Sequence, residues 1–145
     1  MMILRAARAA ELPATLAFWQ VAAENDSRPA DTSAAIEALH RRDPGALIVA
    51  VDGDEIIGTV IAGWDGWRCH LYRLAVAPSR RREGIGGRLI AAAEDRFRSF
   101  GGTRSDAMVL DANQRAHGIW AAHGYSPQPE WSRWVKALPA PETPR

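Results

Sequence analysis

The chain has 145 residues, 18 Lys+Arg against 17 Asp+Glu for a formal net charge of +1, 47% hydrophobic residues and one cysteine. That length suits one domain and can bury roughly 68–70% of its unfolded surface without disulfides or a metal. The near-neutral charge excludes a chain-wide nucleic-acid footprint, the lone Cys69 excludes an internal disulfide and fits a reducing, cytoplasmic setting, and no apolar run approaches the ~20 residues of a membrane span.

In chain order, the N-terminal MMILRAARAAELP is too short and too charged for a signal peptide, and Ile3 to Ala6 reads as a short strand. From Glu11, the residues Leu12, Leu16, Trp19 and Ala23 recur at helical spacing and predict a helix to about Glu24. The segment NDSRPAD, 25–31, is turn chemistry; Asp31, Thr32 and Ser33 offer N-caps for a second helix carrying Ile36 and Leu39, which Asp43-Pro44-Gly45 stops. Three strands follow: Ala46–Val51; Glu55–Trp64, apolar on both faces like a central strand; and Arg68–Val76. Asp52-Gly53 and Asp65-Gly66 are the hairpin signals between them.

Next comes RLAVAPSRRREGIGGRLIAAAEDRF, where an apolar run ends at a proline and a glycine cluster opens a helix. Leu89, Ile90, Ala93, Phe97 and Phe100 form that helix's apolar face, and Gly101-Gly102 ends it. Ala107–Leu110 reads as a strand, so residues 68–110 predict a β-α-β crossover with a parallel pair. Asn113–His123 is a further helix closed by Gly124, and Tyr125–Leu138 predicts one or two final strands with Pro127 and Pro129 in a connecting turn. The order is β-α-α-β-β-β-α-β-α-β, a mixed α/β domain over residues 1–138, with Pro139–Arg145 as a Pro-rich disordered tail. His and Cys do not cluster at metal-ligand spacing, which predicts no structural metal.

A strand that turns directly into a helix leaves the first helical N–H groups without partners, and these donors with the positive end of the dipole make an anion site. Gly84, Gly86 and Gly87 would let a phosphate approach the backbone, and neighbouring arginines add charge-assisted bonds. A P-loop needs Lys then Ser or Thr where this chain has Gly87-Arg88-Leu89, and a dinucleotide fingerprint needs a third glycine where it has Leu89. A soluble turn with solvated arginines, or a nucleic-acid contact through Arg80–Arg82, remains open from these residues alone.

Arg81-x-x-Gly84-x-Gly86, preceded by Val76-x-Pro78 and followed by GGRLI, resembles the acyl-CoA-binding signature of the GNAT (Gcn5-related) N-acetyltransferases. NQRAHGIWAAHGY is similar to the family's second motif, through Asn113, Ala116, Trp120, Gly124 and Tyr125, and Gly63–Arg68 resembles a turn found in a branch of small bacterial members. The resemblance covers residues 2–138. It implies the GNAT fold, with splayed parallel strands around acetyl-CoA, and transfer of its acetyl group to an amine. The amine would belong to a protein N-terminus, a lysine or a small molecule, with no nucleic acid or membrane partner and a homodimer left open. It further implies that backbone groups from Arg81, Arg82, Glu83, Gly84, Ile85, Gly86 and Gly87 cradle the pyrophosphate. Leu74, Ala75 and Val76 would pair with the pantetheine arm as an added strand, and Asn113 would contact it from the next helix. Arg115 and Arg80 would meet the outer phosphates. A backbone N–H near Leu74 or Val76 would stabilise the oxyanion.

The chain departs from the family where many members carry an acidic tyrosine, because the matching residue is Trp120, whose indole N–H is a donor but no acid near neutral pH. The thiolate can leave unassisted, or Tyr72, Tyr125 or His117 can serve instead. His70 and Tyr72 alternate onto one face of the strand bordering the cleft, and His70 has a suitable unperturbed pKa for a base; a water-relayed base, Glu24 and Asp26 stay open beside it. Asp65 suits turn chemistry, while Asp111 either faces the cleft or caps the Asn113 helix. Trp64, Trp67, Trp131 and Trp134 suggest either an aromatic acceptor pocket or, for at least half of them, core packing. A non-catalytic acyl-CoA-binding module is the alternative that Trp120 favours.

Overall fold

The computed structural model describes residues 1–26 and 28–141. Its elements are β1 (Met2–Ala6), α1 (Leu12–Ala22) after a short 3-10 turn, α2 (Ser33–Arg42), β2 (Leu47–Asp52), β3 (Glu55–Trp64), β4 (Cys69–Val76), α3 (Ile85–Ser99), β5 (Ser105–Ala107) and α4 (Gln114–Ala122). The strands form one sheet in the order β1-β2-β3-β4-β5, antiparallel up to β4 and parallel between β4 and β5. The expected mixed α/β architecture and β-α-β crossover are both present.

Each sheet face is covered because the strands are apolar on both sides. Leu47, Val49, Val51 and Ile56 pack with Leu12 and Trp19 of α1 and Ile36 of α2. Ile48, Ala50, Ile57, Val60 and Leu71 pack on the opposite face with Ile85, Leu89, Ile90, Ala93 and Phe97 of α3 and Trp120 of α4. Thr32 is the N-cap of α2, its hydroxyl accepting from the Ala35 N–H at 3.1 Å, and Gly53 turns the β2–β3 hairpin with φ 63°.

Two expectations are corrected. The strand expected at Ala107–Leu110 lies instead at Ser105–Ala107, and its apolar remainder leaves the ladder. No strand forms over Tyr125–Leu138 among the described residues. Pro127 and Pro129 supply no N–H to a ladder, the Trp131 N–H is turned back onto the Gln128 carbonyl at 3.2 Å, and β5 presents only three residues to pair with. Of the expected tail, residues 142–145 lie outside the described residues.

Candidate active site: a cleft where two parallel strands part

β4 and β5 are paired only through Cys69–Ser105, His70–Asp106 and Leu71–Ala107. β4 is then deformed: Thr59 faces Ala75 and Ile61 faces Tyr72, so both Arg73 and Leu74 oppose Val60. This bulge places Arg73 at φ 50°, a left-handed conformation that costs a non-glycine residue roughly 1–3 kcal/mol. Between the diverging strands lies a cleft of about 1660 Å³, lined by Leu74, Ala75 and Val76 from one side and Met108, Val109 and Leu110 from the other.

One end of the cleft is the start of α3. Gly84 is its N-cap, at φ 78°, and supplies no side chain to the first-turn N–H groups. A β-carbon on Gly84 would meet nothing within 4 Å, and one on Gly86 would come no nearer than 3.8 Å, to Ile119 and Val76. The backbone therefore lies bare along the cleft. Burial pushes the Arg81 guanidinium below its ordinary pKa, and the nearby charge of Arg115 does the same, so the two concentrate positive potential here. A bare helix start beside two guanidinium groups fits a diphosphate such as that of acyl-CoA.

The structure brings together most of the residues singled out in the sequence. Leu74, Ala75, Val76, Arg81, Arg82, Gly84, Ile85, Gly86, Gly87 and Asn113 line the cleft, as do Tyr72 and Trp120. Glu83 does not; its carboxylate pairs with Arg80 at 3.0 Å. Arg80 is further held by Asp52 at 3.0 Å, so its guanidinium is already engaged on the protein. The Asn113 side chain caps α4, accepting from the Ala116 N–H at 3.2 Å, which leaves Asp111 facing the cleft rather than capping.

His70 lies outside the cleft lining. Its Nδ1 is 2.8 Å from Asp106, and its Nε2 is 3.6 Å from Asp65. Asp65 performs the expected turn chemistry by accepting from the N–H groups of Trp67 and Arg68. The Tyr72 phenol is pushed above its ordinary pKa, chiefly by burial and then by the charge of Asp106, and so stays protonated through neutral pH as a donor. Tyr125 is pushed up to about 12, mainly by burial, and its hydroxyl donates to Glu94 at 2.8 Å. His117 is occupied by the Leu110 carbonyl at 3.0 Å. Trp120 is 8% exposed and packs edge-on to Tyr125, with ring centroids 5.0 Å apart.

The tryptophans divide differently from the core-packing expectation. Only Trp64 of the four packs on the core, stacked on Phe100 at 5.8 Å. Trp67 lies exposed with Arg68 over its ring, Trp131 lines the cleft while 72% exposed, and Trp134 is 92% exposed.

On the α1 side of the far end of the cleft, sequence reasoning reached little beyond Glu24; Asp26, named beside it, is not part of the lining. Val21, Ala22, Ala23, Glu24, Arg28 and Asp31 line this end from the end of α1 and the following loop, facing Tyr72, Arg73 and Arg133. Arg73 lies within the quoted RLAV run, but nothing local in that run signals that its side chain is 4% exposed and ion-paired to Asp31. His123 was likewise invisible, because its contact with Gly87 joins two helices.

The sheet whose β4 and β5 part beside the bare start of α3 is a mixed α/β fold with an anion-receptive cleft. The model of the acetyltransferase (GNAT) family matches residues 7–125, and the chain belongs to that family. It is 34% identical over 85 residues to an acetyltransferase of Pectobacterium atrosepticum, covering 59% of this chain and 60% of that one. It is 31% identical over 93 residues to an acetyltransferase of Yersinia pestis, covering 64% and 66%. The chain thus spans under two thirds of the length of these curated relatives.

Among solved structures, the fold is similar to that of Ard1 from Thermoplasma volcanium, with TM-score 0.75, 19% identity and coverage of 86% and 82%. It is also similar to that of AAC(6')-Iy in complex with the bisubstrate analogue CoA-S-monomethyl-acetylneamine, with TM-score 0.74, 18% identity and coverage of 95% and 99%. Among the described residues, no helix is long and apolar enough to cross a membrane and no group of three or more His, Cys, Asp or Glu is placed to hold a metal.

Proposed function

We propose that the chain transfers an acetyl group from acetyl-CoA to a primary amine. The observation that carries this reading is the bare helix start at Gly84–Gly86, with Arg81 and Arg115 beside it, opening into the fork between β4 and β5. In this reading Gly84, Ile85, Gly86 and Gly87 receive the diphosphate through their amides, Arg81 and Arg82 flank it, and Leu74–Val76 with Asn113 hold the pantetheine arm. The acceptor enters from the Glu24–Asp31 end.

The reaction forms an N–C bond and breaks a C–S bond; the amine gives up a proton and the thiolate leaves. An α-amine (pKa ~7.7–8.0) loses that proton more readily at neutral pH than a lysine amine (~10.4). Tyr72, protonated and facing the cleft, is the donor we assign to the reacting end. His70 is held by Asp106 outside the cleft and is demoted from base to a clasp between β4 and β5; water relays the amine proton. Trp120 shapes the floor without supplying a proton. We place the protein in the cytoplasm, consistent with a free, buried Cys69.

The second reading, an acyl-CoA-binding module without turnover, draws on Trp120 alone. Steady-state thiol release with short peptides, lysine peptides, polyamines and aminoglycosides, beside calorimetric titration of acetyl-CoA, separates the two. Release with at least one amine supports transfer; acetyl-CoA binding with no release from any of them supports the module.

A further inference from the structure

The polar groups buried under the cleft converge on one side chain that no step above uses. Arg73 is 7% exposed, yet its guanidinium reaches across to the loop after α1. It donates to the Glu24 carbonyl at 2.7 Å and to the Asn25 side-chain oxygen at 3.2 Å, and it pairs with the Asp31 carboxylate. It lies over the Trp19 ring, 5.3 Å from its centroid. The main chain of the same residue is fixed separately: the Arg73 carbonyl accepts from the Thr59 hydroxyl at 2.9 Å, and that hydroxyl accepts from the Trp19 indole N–H at 2.9 Å. Asn25 closes the network by donating to the carbonyls of Trp19 and Ala23, each at 3.0 Å.

One residue therefore touches both halves of the cleft. Its backbone is the bulge, and its side chain holds the loop whose Ala23, Glu24 and Asp31 line the acceptor end. We infer that Arg73 is a positioning residue that couples the order of the acceptor loop to the geometry of the β4 bulge, so that the two sides of the reacting centre are set together. This rests on the acyl-transfer reading of the cleft.

The coupling follows from two costs. A non-glycine residue stays in the left-handed region only where its surroundings over-determine it. A guanidinium keeps its charge, so one this deep stays buried only while its partners are present, because an unpaired buried charge is strongly penalised. The loop supplies those partners. Withdrawing the loop strands the charge, and relaxing the bulge swings the guanidinium off the loop.

The test compares Asp31→Asn, which alters the network from the loop side alone, with Arg73→Met and Arg73→Lys. Amide hydrogen exchange is followed in residues 23–31, in 72–76 and in the α3 core at 89–97, with acetyl-CoA titration and thiol release using the best amine of the panel. We expect Asp31→Asn and Arg73→Met to raise exchange about tenfold in both the loop and the bulge while α3 stays protected. Acetyl-CoA binding should stay within about threefold, kcat should fall about tenfold or more, and Arg73→Lys should recover part of it.

The inference is overturned if Asp31→Asn loosens the loop but leaves exchange at 72–76 unchanged, or if kcat falls only in proportion to the folded fraction. Should Arg73→Met fail to fold, Asp31→Asn decides alone. If wild-type protein binds no acetyl-CoA, the acyl-transfer reading fails, whereas the exchange coupling between loop and bulge is still scored.

Discussion

The His123 imidazole occupies the space beside Gly87: a β-carbon on Gly87 would stand 2.5 Å from its Cε1 and 2.7 Å from its Nε2. The end of α4 is thereby keyed into the first turn of α3, at the edge of the phosphate-receptive backbone.

Gly87→Ala must push that ring aside. The ring is the end of an exposed, flexible side chain, so the stability cost should stay within about 1 kcal/mol. The displaced ring intrudes on the cleft, and acetyl-CoA affinity should fall several-fold by calorimetry. In a His123→Ala background the same substitution should cost little, and additive losses would contradict the keyed packing.

Gly86→Glu should abolish measurable acetyl-CoA binding. A β-carbon fits at Gly86, with its nearest neighbours at 3.8 Å, so Gly86→Ala should fold normally. The glutamate instead places a carboxylate where the helix start receives an anion. Unchanged affinity in Gly86→Glu would remove the phosphate assignment.

Gly58→Ala tests the packing of β3 on α3. The added methyl would lie 2.9 Å from a Leu89 methyl, 3.0 Å from Ile85 and 3.3 Å from the Ala75 carbonyl. Overpacking of this kind costs about 1–3 kcal/mol, to be read from the urea midpoint.

Glu11 gives a pH signature. Its carboxylate is held at about 2, first by the paired hydrogen bonds from Arg5 at 2.7 and 2.8 Å and further by the Arg8 N–H, with burial opposing. A carboxyl depressed on folding contributes stability that is complete above its unfolded pKa of ~4.3 and is lost as pH falls from there toward 2. Glu11→Gln should therefore destabilise by about 1–2 kcal/mol at pH 7, a figure reduced for the group's partial exposure. The difference from wild type should shrink steadily in urea titrations between pH 5 and about pH 2.

Trp120→Phe keeps an aromatic ring against Tyr125 and should retain thiol release within a few-fold, whereas Tyr72→Phe removes the protonated donor and should lower kcat by about tenfold or more. The reverse ranking, at equal acetyl-CoA affinity, would transfer the donor role to Trp120.

What the sequence made legible was local chemistry. Gly84 at a strand-to-helix junction, the hairpin turns and the apolar period of α3 depend on neighbours in the chain. They were read correctly, and most of the residues assigned to the cofactor side line the cleft. The fork came only through the family resemblance, because strand propensity in Met108–Leu110 says nothing about whether β4 remains alongside. The final strand failed for a related reason: its apolar residues suit a strand, yet β5 offers too short an edge. Arg73 is the hardest case, since its partners Glu24, Asn25 and Asp31 are 42 to 49 residues away in sequence.

The uneven placement of the tryptophans has an optical consequence. Trp19 and Trp120 are buried, while Trp67 and Trp134 stand in water. Trp131 is exposed yet lies on the wall of the cleft. A cleft occupant that covered that indole would dry it and leave Trp67 and Trp134, outside the lining, in water. The unlabelled protein thus carries its own emission reporter, with Trp131 as the responsive fluorophore and its neighbours as the internal standard.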